Sequence, residues 1–349
     1  MKIFNADFNF ADINALFPRA AESILSVRRL SNAAKIILSE QKRSEVVTGM
    51  PFAVMVEPSA ICDMKCPICA LPSSAPRKLS FLKFDVYKKF IEELGSTLIF
   101  LNLWNWGEPL LHPDIGDMVE LATEKKIMTA IHTNGIGLRG EKALELIQGG
   151  LCYLVISFDG AFEQSYSIIR GKDNFNFVRQ NVASFMKLKN SPRPRLPLVE
   201  LKMIVTKDNE NEMREFLDMG KNLGVERTTF RRLVWAHNPQ IEKMAPTQIE
   251  FRQKHGLNAD NKKRKLPCNR PWRSAVILAN GDVVPCCSDT NFEYVMGNIN
   301  EPGGFRQIWN NDRFRSFRSK LIKDPDLISI CKLCPADNFR GDTFIRPGE

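Results

Sequence analysis

The chain has 349 residues, of which 44% are hydrophobic and 26% charged, which excludes wholesale disorder and a small disulfide-stapled scaffold. The net charge is +9, and residues 221–273 account for all of it; such a local excess does not indicate a protein that wraps nucleic acid. The sequence contains no run of 18 apolar residues, so it predicts no membrane span, and the first residues do not form a secretion signal. We therefore expect a cytoplasmic protein that binds no nucleic acid.

Residues 1–50 predict a helical extension, because apolar side chains recur there at near-helical spacing. Over residues 51–235, apolar strand candidates alternate with amphipathic helices, a pattern typical of a parallel sheet with covered faces. The predicted strands span 52–57, 97–104, 127–133, 152–158, 199–206 and 225–231, and the predicted helices 84–94, 115–125, 141–148, 175–187 and 209–223. Six strands are too few for a closed eight-unit barrel, which needs about 250 residues. We expect an α/β fold, a partial (β/α)6 TIM-like barrel with functional groups at the carboxyl ends of its strands.

Beyond the predicted barrel, a basic linker over 236–266 ends in the run Lys262-Lys263-Arg264-Lys265. This run is either a solvated linker or a rim that attracts anions, such as a phosphorylated or carrier-bound substrate or an acidic electron-donor protein. Residues 267–349 form a smaller segment that carries cysteines. Within it, Asn280-Gly281 between two apolar runs predicts a hairpin.

The first cysteine cluster is Cys62, Cys66 and Cys69, with the spacing C-x3-C-x2-C directly after the first predicted strand. In a chain without an export signal, such a cluster favours metal ligation over disulfides. Three thiolates on one loop can hold three irons of a cubane cluster and leave the fourth iron open. A structural zinc ion normally takes four ligands, so a zinc site here would have to borrow a distant one.

Three more motifs, each at the end of a predicted strand, agree with a family resemblance. They are Gly107-Glu108-Pro109, Thr133-Asn134-Gly135 and Ser157-Phe158-Asp159-Gly160. Together with the cysteines they resemble the radical S-adenosylmethionine (SAM) superfamily, with Trp106 in place of the first glycine of its GGEP motif. The resemblance implies that the open iron binds SAM, and that one electron cleaves SAM to a 5′-deoxyadenosyl radical, which abstracts hydrogen from a substrate.

The resemblance also implies roles for single residues around SAM. The residues so implied are Trp106, Gly107 and Glu108 at the amino group, Ser157 and Asp159 at the ribose, and Ile68 against the adenine. Arg170 lies in a stretch, from Tyr166 to Gly171, that is similar to the family's YxxIRG sequence. Arg170 therefore either binds the SAM carboxylate or the substrate, or forms a surface ion pair.

A second set of cysteines lies in the C-terminal segment: Cys268, Cys286, Cys331 and Cys334. Zinc ribbons usually pair two C-x2-C knuckles, and this set contains one. The surrounding sequence resembles the SPASM auxiliary-cluster extension or its shorter Twitch form, and no cysteine follows between Ala336 and Glu349. The resemblance implies one auxiliary [4Fe-4S] cluster on these four cysteines, and so two clusters in all. Cys287 is a packing residue, an alternative ligand to Cys286, or a hydrogen-atom donor.

Other residue types that could carry chemistry lie near the predicted strand ends. We expect His112 and His132 to be satisfied structural histidines, and Cys152 to be a buried small hydrophobe. Four residues after the sixth strand either line the substrate entrance or form a solvated charged edge. These residues are Arg231, Arg232, Trp235 and His237.

The cysteines for a single auxiliary cluster resemble those of Twitch dehydrogenases, and this resemblance implies the type of reaction. We expect two-electron oxidation of a small hydroxyl-bearing molecule, of the sugar or cyclitol type, with the auxiliary cluster as electron acceptor and flavodoxin or ferredoxin as donor. The alternative is a peptide maturase, either an epimerase or a cross-linking enzyme; an epimerase needs a thiol donor such as Cys287. A third hypothesis is a zinc-stabilised barrel that binds a partner without catalysis.

Overall fold

The computed structural model describes the chain in five long stretches and several short ones. These are residues 26–71, 77–190, 196–234, 238–252 and 268–332, with residues 2–3, 6–7, 23, 75, 334 and 344–345 outside them. The run Lys262–Lys265 lies outside the described residues, as do Trp235 and His237. In the described part of the chain, no helix has the length and apolar character needed to cross a membrane.

A ten-stranded sheet is the centre of the described fold. Its strands are β3 (Ala53–Val56), β4 (Phe100–Leu103), β5 (Met128–Thr133), β6 (Tyr153–Ser157), β7 (Leu198–Val205), β8 (Arg227–Arg232), β9 (Ser274–Ile277), β10 (Asp282–Val284), β11 (Gly297–Asn298) and β12 (Phe344–Ile345). Two further strands, β1 (Lys2–Ile3) and β2 (Ala6–Asp7), pair with each other outside this sheet. The large sheet has the order β11-β10-β9-β3-β4-β5-β6-β7-β8-β12. Its ends, β11 and β12, do not meet, which confirms the open barrel. Seven neighbouring strands, β9 and β3 to β8, are parallel, one more than the sequence predicts.

Helices cover the sheet in the alternating order that the sequence predicts. They are α1 (Val27–Gln41), α2 (Phe84–Leu94), α3 (Ile115–Glu124), α4 (Gly140–Gln148), α5 (Glu163–Arg170), α6 (Phe175–Lys189), α7 (Met213–Leu223), α8 (Arg270–Arg273), α9 (Gly304–Trp309), α10 (Asp312–Lys323) and α11 (Ser329–Lys332). The helical period that predicts α2 places its apolar side chains on one face, which is buried towards the sheet. These side chains are Tyr87, Phe90, Ile91 and Leu94. The predicted helix at 209–223 begins four residues later, since Asn209 forms a turn with Thr206.

The two faces of the sheet differ, and this difference positions the site. In β4, Leu101 and Leu103 are fully buried towards the helices, whereas Phe100 and Asn102 are half-buried on the inner face. Side chains of a strand alternate between the two faces, so every second residue of each parallel strand lines the inside of the barrel. Polar residues at the strand ends on that inner face are therefore brought together.

Helix α5 is missing from the sequence prediction, although it contains Arg170. Its eight residues are too few to show a clear helical period. Tertiary contacts stabilise it, because Tyr166 is fully buried between Phe158 and Phe175, with ring centroids 5.2 and 5.8 Å away. The helix ends at Gly171, whose φ of +73° is the left-handed conformation that glycine adopts most easily.

The C-terminal segment extends the sheet of the barrel through its first strand. Strand β9 pairs in parallel with β3, and the predicted hairpin around Asn280-Gly281 connects β9 to β10. The indole nitrogens of Trp272 and Trp309 donate to the carbonyl oxygens of Ser44 and Gly49, at 2.7 and 2.9 Å. The connection between α1 and β3 thus anchors both tryptophans.

Candidate active site

The loop that carries Cys62, Cys66 and Cys69 directly follows β3. Cys62 is exposed and the other two are half-buried. Cys69 N donates to Cys66 O at 3.0 Å, and Asn238 Nδ2 donates to Cys69 O at 3.0 Å, which holds the loop in a turn. Although Cys62 is exposed as a residue, desolvation of its thiol raises its pKa to about 11, and burial also raises the pKa of Cys66. These thiols therefore stay protonated until a metal displaces their protons.

The segment after β5 and the end of α5 both contact this loop. Asn134, in the motif after β5, donates through Nδ2 to Asp63 Oδ1 at 2.7 Å. A Cβ atom on Gly171 would lie 3.0 Å from the carbonyl oxygen of Lys65, so the end of α5 packs directly against the loop. The motifs that are far apart in the sequence thus meet around the three cysteines.

The loop after β4, with Trp106, Gly107 and Glu108, lies against the first cysteine loop. A Cβ atom on Gly107 would lie 1.9 Å from the carbonyl oxygen of Ser59, so no other residue fits here without displacing the backbone. Glu108 N donates to Ile61 O at 2.9 Å. This close backbone approach is the physical reason for glycine at the second position of the motif.

The Glu108 side chain is buried and fully engaged within the protein. Oε1 accepts hydrogen bonds from Thr133 Oγ1 at 2.7 Å and from Leu110 N at 3.1 Å, and Oε2 accepts one from Asn134 N at 2.8 Å. Burial raises the pKa of Glu108 to about 7. The carboxylate that the resemblance places at the SAM amino group therefore ties the loops after β4 and β5 together.

Asp159 and Arg170 form a buried ion pair behind the cysteine loop. Arg170 Nη1 lies 3.0 Å from Asp159 Oδ2, while Ile204 N donates to Asp159 Oδ1 at 2.7 Å. Arg170 Nη2 is 3.5 Å from Met64 Sδ, between the first two cysteines. Both carboxylate oxygens of Asp159, implied to contact ribose, are thus engaged by the protein. Ser157, which the resemblance also places at the ribose, is half-buried at the end of β6.

Ile68, which the resemblance places against adenine, is buried. It belongs to an apolar cluster under the cysteine loop that also contains Ile169, Leu233, Ile241, Met244 and Ala245, with Cys66 packed against it. Such a surface excludes water from one side of the loop. His112 is structural as expected, because Nε2 pairs with Leu82 O at 2.7 Å and Nδ1 accepts from Asp114 N at 3.0 Å. The same expectation is wrong for His132, whose buried Nδ1 has no hydrogen-bond partner among the described residues. Cys152 is buried, also as expected.

Glu57, at the end of β3, is a site residue that the sequence analysis missed. Oε1 accepts from Trp106 N at 3.1 Å and from Arg77 Nη2 at 3.3 Å, and Oε2 accepts from Ala279 N at 3.2 Å. Burial raises its pKa, against the opposing charge of Arg77. An acidic residue that ends an apolar strand next to a metal motif is the signal that could have identified it.

The four cysteines of the C-terminal set surround one cavity. The cavity has a volume of about 450 Å³, part of it open to solvent, and its lining includes Cys268, Cys286, Cys331 and Cys334, with Arg270, Ser288 and Phe317. In the described part of the chain, no three His, Cys, Asp or Glu side chains approach closely enough to hold a single metal ion. The four thiols thus surround a space, as ligands of a multi-iron cluster do.

Cys286 and Cys287 differ in their surroundings. Cys286 lines the cavity, whereas Cys287 packs against the apolar residues Val276 and Leu278. Arg270 Nη1 lies 3.1 Å from Cys287 Sγ and 3.7 Å from Cys286 Sγ. A hydrogen bond from Cys287, assisted by the charge of Arg270, lowers the pKa of Cys286 well below its usual value. Of the two, Cys286 has the geometry of a ligand.

Both sites fit the groups that the resemblance implies. The first offers three thiols on one loop and, beside it, an unpartnered donor: Trp106 Nε1 is buried with no hydrogen-bond partner among the described residues. A bound polar molecule would satisfy such a group. The second offers four thiols around a cavity, with the backbone N–H of Ser288 3.4 Å from Cys286 Sγ, and thiolates are the ordinary ligands of iron–sulfur clusters.

Comparison with known proteins agrees with this geometry. Residues 56–220 match the family model for the radical SAM superfamily, and residues 268–335 match SPASM, an iron–sulfur cluster-binding domain. The chain is 25% identical over 191 residues to a PqqA peptide cyclase of Bradyrhizobium diazoefficiens; the match covers 55% of this chain and 49%, about half, of that protein. It is 24% identical over 306 residues to the mycofactocin maturase MftC of Mycolicibacterium smegmatis, with 81% of this chain and 75% of that protein covered.

A likeness of fold agrees with the likeness of sequence. The Streptococcus suis protein SuiB, solved with its precursor peptide SuiA, superposes with a TM-score of 0.62 at 16% identity, covering 88% of this chain and 75% of that one. The two family models together span two thirds of the chain and include both cysteine sets. The chain belongs to the radical SAM superfamily: it is a radical SAM enzyme with a C-terminal SPASM domain, and it uses SAM and [4Fe-4S] clusters.

Proposed function

We propose that the enzyme modifies a peptide, by cross-linking or otherwise oxidising one of its residues or by epimerising it. The observation that carries the proposal is the sequence match to the mycofactocin maturase, which covers 81% of this chain. The PqqA peptide cyclases point to the same substrate class. These relatives favour peptide modification over the small-molecule oxidation that the cysteine pattern predicts.

In this proposal the residues after β3 and β4 form the SAM site. Cys62, Cys66 and Cys69 would hold the SAM-binding cluster. Gly107, free of a Cβ atom, lets the backbone of the β4 loop approach the cysteine loop, and the Trp106 indole N–H remains available as a donor. When bound, the cluster and SAM supply a 5′-deoxyadenosyl radical that abstracts hydrogen from the substrate. The apolar surface around Ile68 excludes water from this chemistry.

Arg170 is assigned a positioning role in the same site. Its guanidinium is held by Asp159 at 3.0 Å and contacts Met64 on the cysteine loop. The fixed positive charge also counteracts the effect of burial on the pKa of Cys66. Arg170 therefore favours the thiolate form that iron requires.

The second set of cysteines would hold the auxiliary cluster, with Cys286 rather than Cys287 as the ligand. The Arg270 guanidinium and the Ser288 N–H, both near Cys286 Sγ, stabilise negative charge on that sulfur. A cluster capped by four thiolates has no open iron, so its role in the proposal is to accept or relay an electron.

The experiment is an anaerobic assay of the cluster-loaded enzyme with SAM and dithionite. The substrates are any short peptides encoded beside its gene and, in parallel, a panel of sugars and cyclitols, and each reaction is run in both H2O and D2O buffer. We expect 5′-deoxyadenosine together with a peptide that has either lost two hydrogens or taken up deuterium from solvent at one α-carbon. Mass spectrometry distinguishes the two.

The matched control is Cys66→Ala, which removes one assigned cluster ligand and should abolish deoxyadenosine formation. Cys287→Ala should keep both clusters; if it stalls turnover on a peptide that the wild type epimerises, Cys287 is the hydrogen-atom donor. Ketone formation from a sugar, with no peptide changed, would overturn the proposal in favour of dehydrogenation.

A further inference from the structure

The inner face of the barrel carries polar groups that the SAM site does not use. Partners in register on neighbouring parallel strands point to the same face. By this register His132 on β5 is aligned with Val155 on β6, and Val155 with Glu200 on β7. Lys202, two residues after Glu200, continues along the same face towards the carboxyl end of the sheet, in register with Ser157.

Trp104 and His132 form a stacked pair on this face. Their rings are 3.9 Å apart between centroids and within 7° of parallel. Trp104 Nε1 and His132 Nδ1 are buried, and neither has a hydrogen-bond partner among the described residues. Burial, with the positive charges of Lys202 and Arg231, lowers the pKa of His132 well below its usual value, so the imidazole is neutral. Two rigid rings thus present unsatisfied polar atoms to the interior.

Lys202 is a cation beside this pair, and the acids that act on it, Asp159 and Glu200, do not pair with it directly. Within the described residues, no side chain forms an ion pair or hydrogen bond with its ammonium group. The two nearby acids are engaged elsewhere. Asp159 pairs with Arg170, and Glu200 accepts from Tyr153 and Thr229, with Arg231 at 3.9 Å. A half-buried amine in this position is costly unless an anion joins it.

We propose that Lys202 and Arg231, with the ring nitrogens of Trp104 and His132, bind a carboxylate of the substrate inside the barrel. The group has an ammonium group, a guanidinium, an indole N–H and a neutral imidazole, and it faces the same mouth as the SAM site. The inference rests on the proposed function, since it assigns the carboxylate to a peptide, as an Asp or Glu side chain or the C-terminus.

A carboxylate fits this site because the donors converge from one face of the sheet and include a guanidinium, which binds planar oxyanions through two N–H groups. A phosphate shares this chemistry, so a phosphorylated or carrier-bound substrate is the other possible source of the anion. The test must separate these sources, and it must also exclude the carboxylate of SAM itself.

The experiment measures the reactivity of Lys202 towards an acetylating reagent in the cluster-loaded enzyme saturated with SAM. Mass spectrometry of peptides reports the rate at Lys202 and at the exposed Lys207 as an internal control. The probes are glutarate, its neutral analogue glutaramide, and inorganic phosphate, all at constant ionic strength. We expect glutarate to slow the labelling of Lys202 several-fold and to leave Lys207 unchanged, with glutaramide without effect.

Variants give an independent measure. Arg231→Gln should abolish the protection of Lys202 by glutarate, whereas Arg214→Gln, on the exposed surface of α7, should preserve it and leaves Lys207 in place as the labelling control. Equal rates with glutarate and glutaramide would overturn the proposal, as would a Lys202 that SAM alone shields completely or that never reacts. Protection by phosphate and not by glutarate would overturn the assignment to a peptide carboxylate.

These outcomes are separate from those of the proposed function, because labelling requires no turnover. If peptides without acidic side chains and with an amidated C-terminus are modified as well as acidic ones, the carboxylate site is wrong and the peptide function stands. If glutarate protects Lys202 but no peptide is modified, the site stands and the peptide function is wrong.

Discussion

Glu57 and Ala279 are 222 positions apart in the chain, yet the carboxylate Oε2 of Glu57 accepts a hydrogen bond from Ala279 N at 3.2 Å. The other oxygen accepts from Trp106 N, in the loop beside the first cysteines. One buried acid thus joins the SAM side of the barrel to the hairpin that leads to Cys286. The relative positions of the two cysteine sets depend on this residue.

Replacing Glu57 should therefore destabilise the whole protein. Glu57→Ala leaves Arg77 and two backbone N–H groups without their buried partner, and such losses cost roughly 3–5 kcal/mol. Urea unfolding of the cluster-loaded protein measures the free energy. The matched control is Asp312→Ala, an exposed acid in an i,i+3 ion pair, which should change the free energy of unfolding by less than about 0.5 kcal/mol. Equal effects of the two variants would contradict the role of Glu57.

Glu108 should make stability fall as pH rises from about 4.5 to about 7. Burial raises its pKa to about 7 in the folded state, from a usual value near 4.5. Between these values the folded state holds a proton that the unfolded state has released, so the free energy of unfolding decreases with pH, by about 3 kcal/mol over the full window. Glu108→Gln removes this titration. The measurement is the pH dependence of the difference between wild type and variant, in which shared effects cancel; a flat difference would contradict the prediction.

Gly107→Ala should disrupt the SAM site by steric contact. The added Cβ would lie 1.9 Å from Ser59 O, and backbone atoms cannot rotate away as a side chain can. Gly224→Ala is the control, because Gly224 has a φ of +74° but open space around it, so strain alone should cost roughly 1 kcal/mol. We expect Gly107→Ala to lose at least tenfold in SAM affinity by equilibrium dialysis, and Gly224→Ala to retain it.

Arg170 should be needed for loading the first cluster. Arg170→Gln leaves Asp159 as a buried charge without its ion-pair partner and removes the positive charge beside Cys66. We expect a lower iron content and a loss of the SAM-induced change in the electron paramagnetic resonance spectrum of the reduced cluster. Arg179→Gln, at an exposed cation–π contact over Phe175, should leave both unchanged. Normal iron content in Arg170→Gln would contradict the positioning role.

Iron analysis tests the assignment of the cysteines. The wild type should bind about eight irons with matching sulfide, and replacing either Cys66 or Cys286 by Ala should remove about four. Cys287→Ala should retain about eight, since its thiol packs against Val276 and Leu278 rather than lining the cavity. Loss of iron in Cys287→Ala with retention in Cys286→Ala would reverse the assignment. Zinc in place of iron in the wild type would contradict both sites.

Local sequence determined the elements whose signal is periodic or chemical. The apolar face of α2 and the apolar runs of the strands predict those elements, because a helix buried on one face and a parallel strand buried on both faces require these patterns. The C-x3-C-x2-C loop and the motifs at the strand ends identify the family, because cluster and SAM binding need particular side chains in short segments. The open barrel, the family and both cofactors follow from these patterns and are confirmed.

The tertiary structure alone decided which groups meet. No local pattern pairs Asp159 with Arg170, places Glu57 against Ala279, or stacks Trp104 on His132, since each pair is joined only by the packing of separate strands and helices. Helix α5 and the addition of β9 to β3 escape prediction for the same reason: a short element gains its stability from non-local contacts. Sequence periodicity and motif chemistry thus define the kind of enzyme, and strand register defines which charges face its substrate.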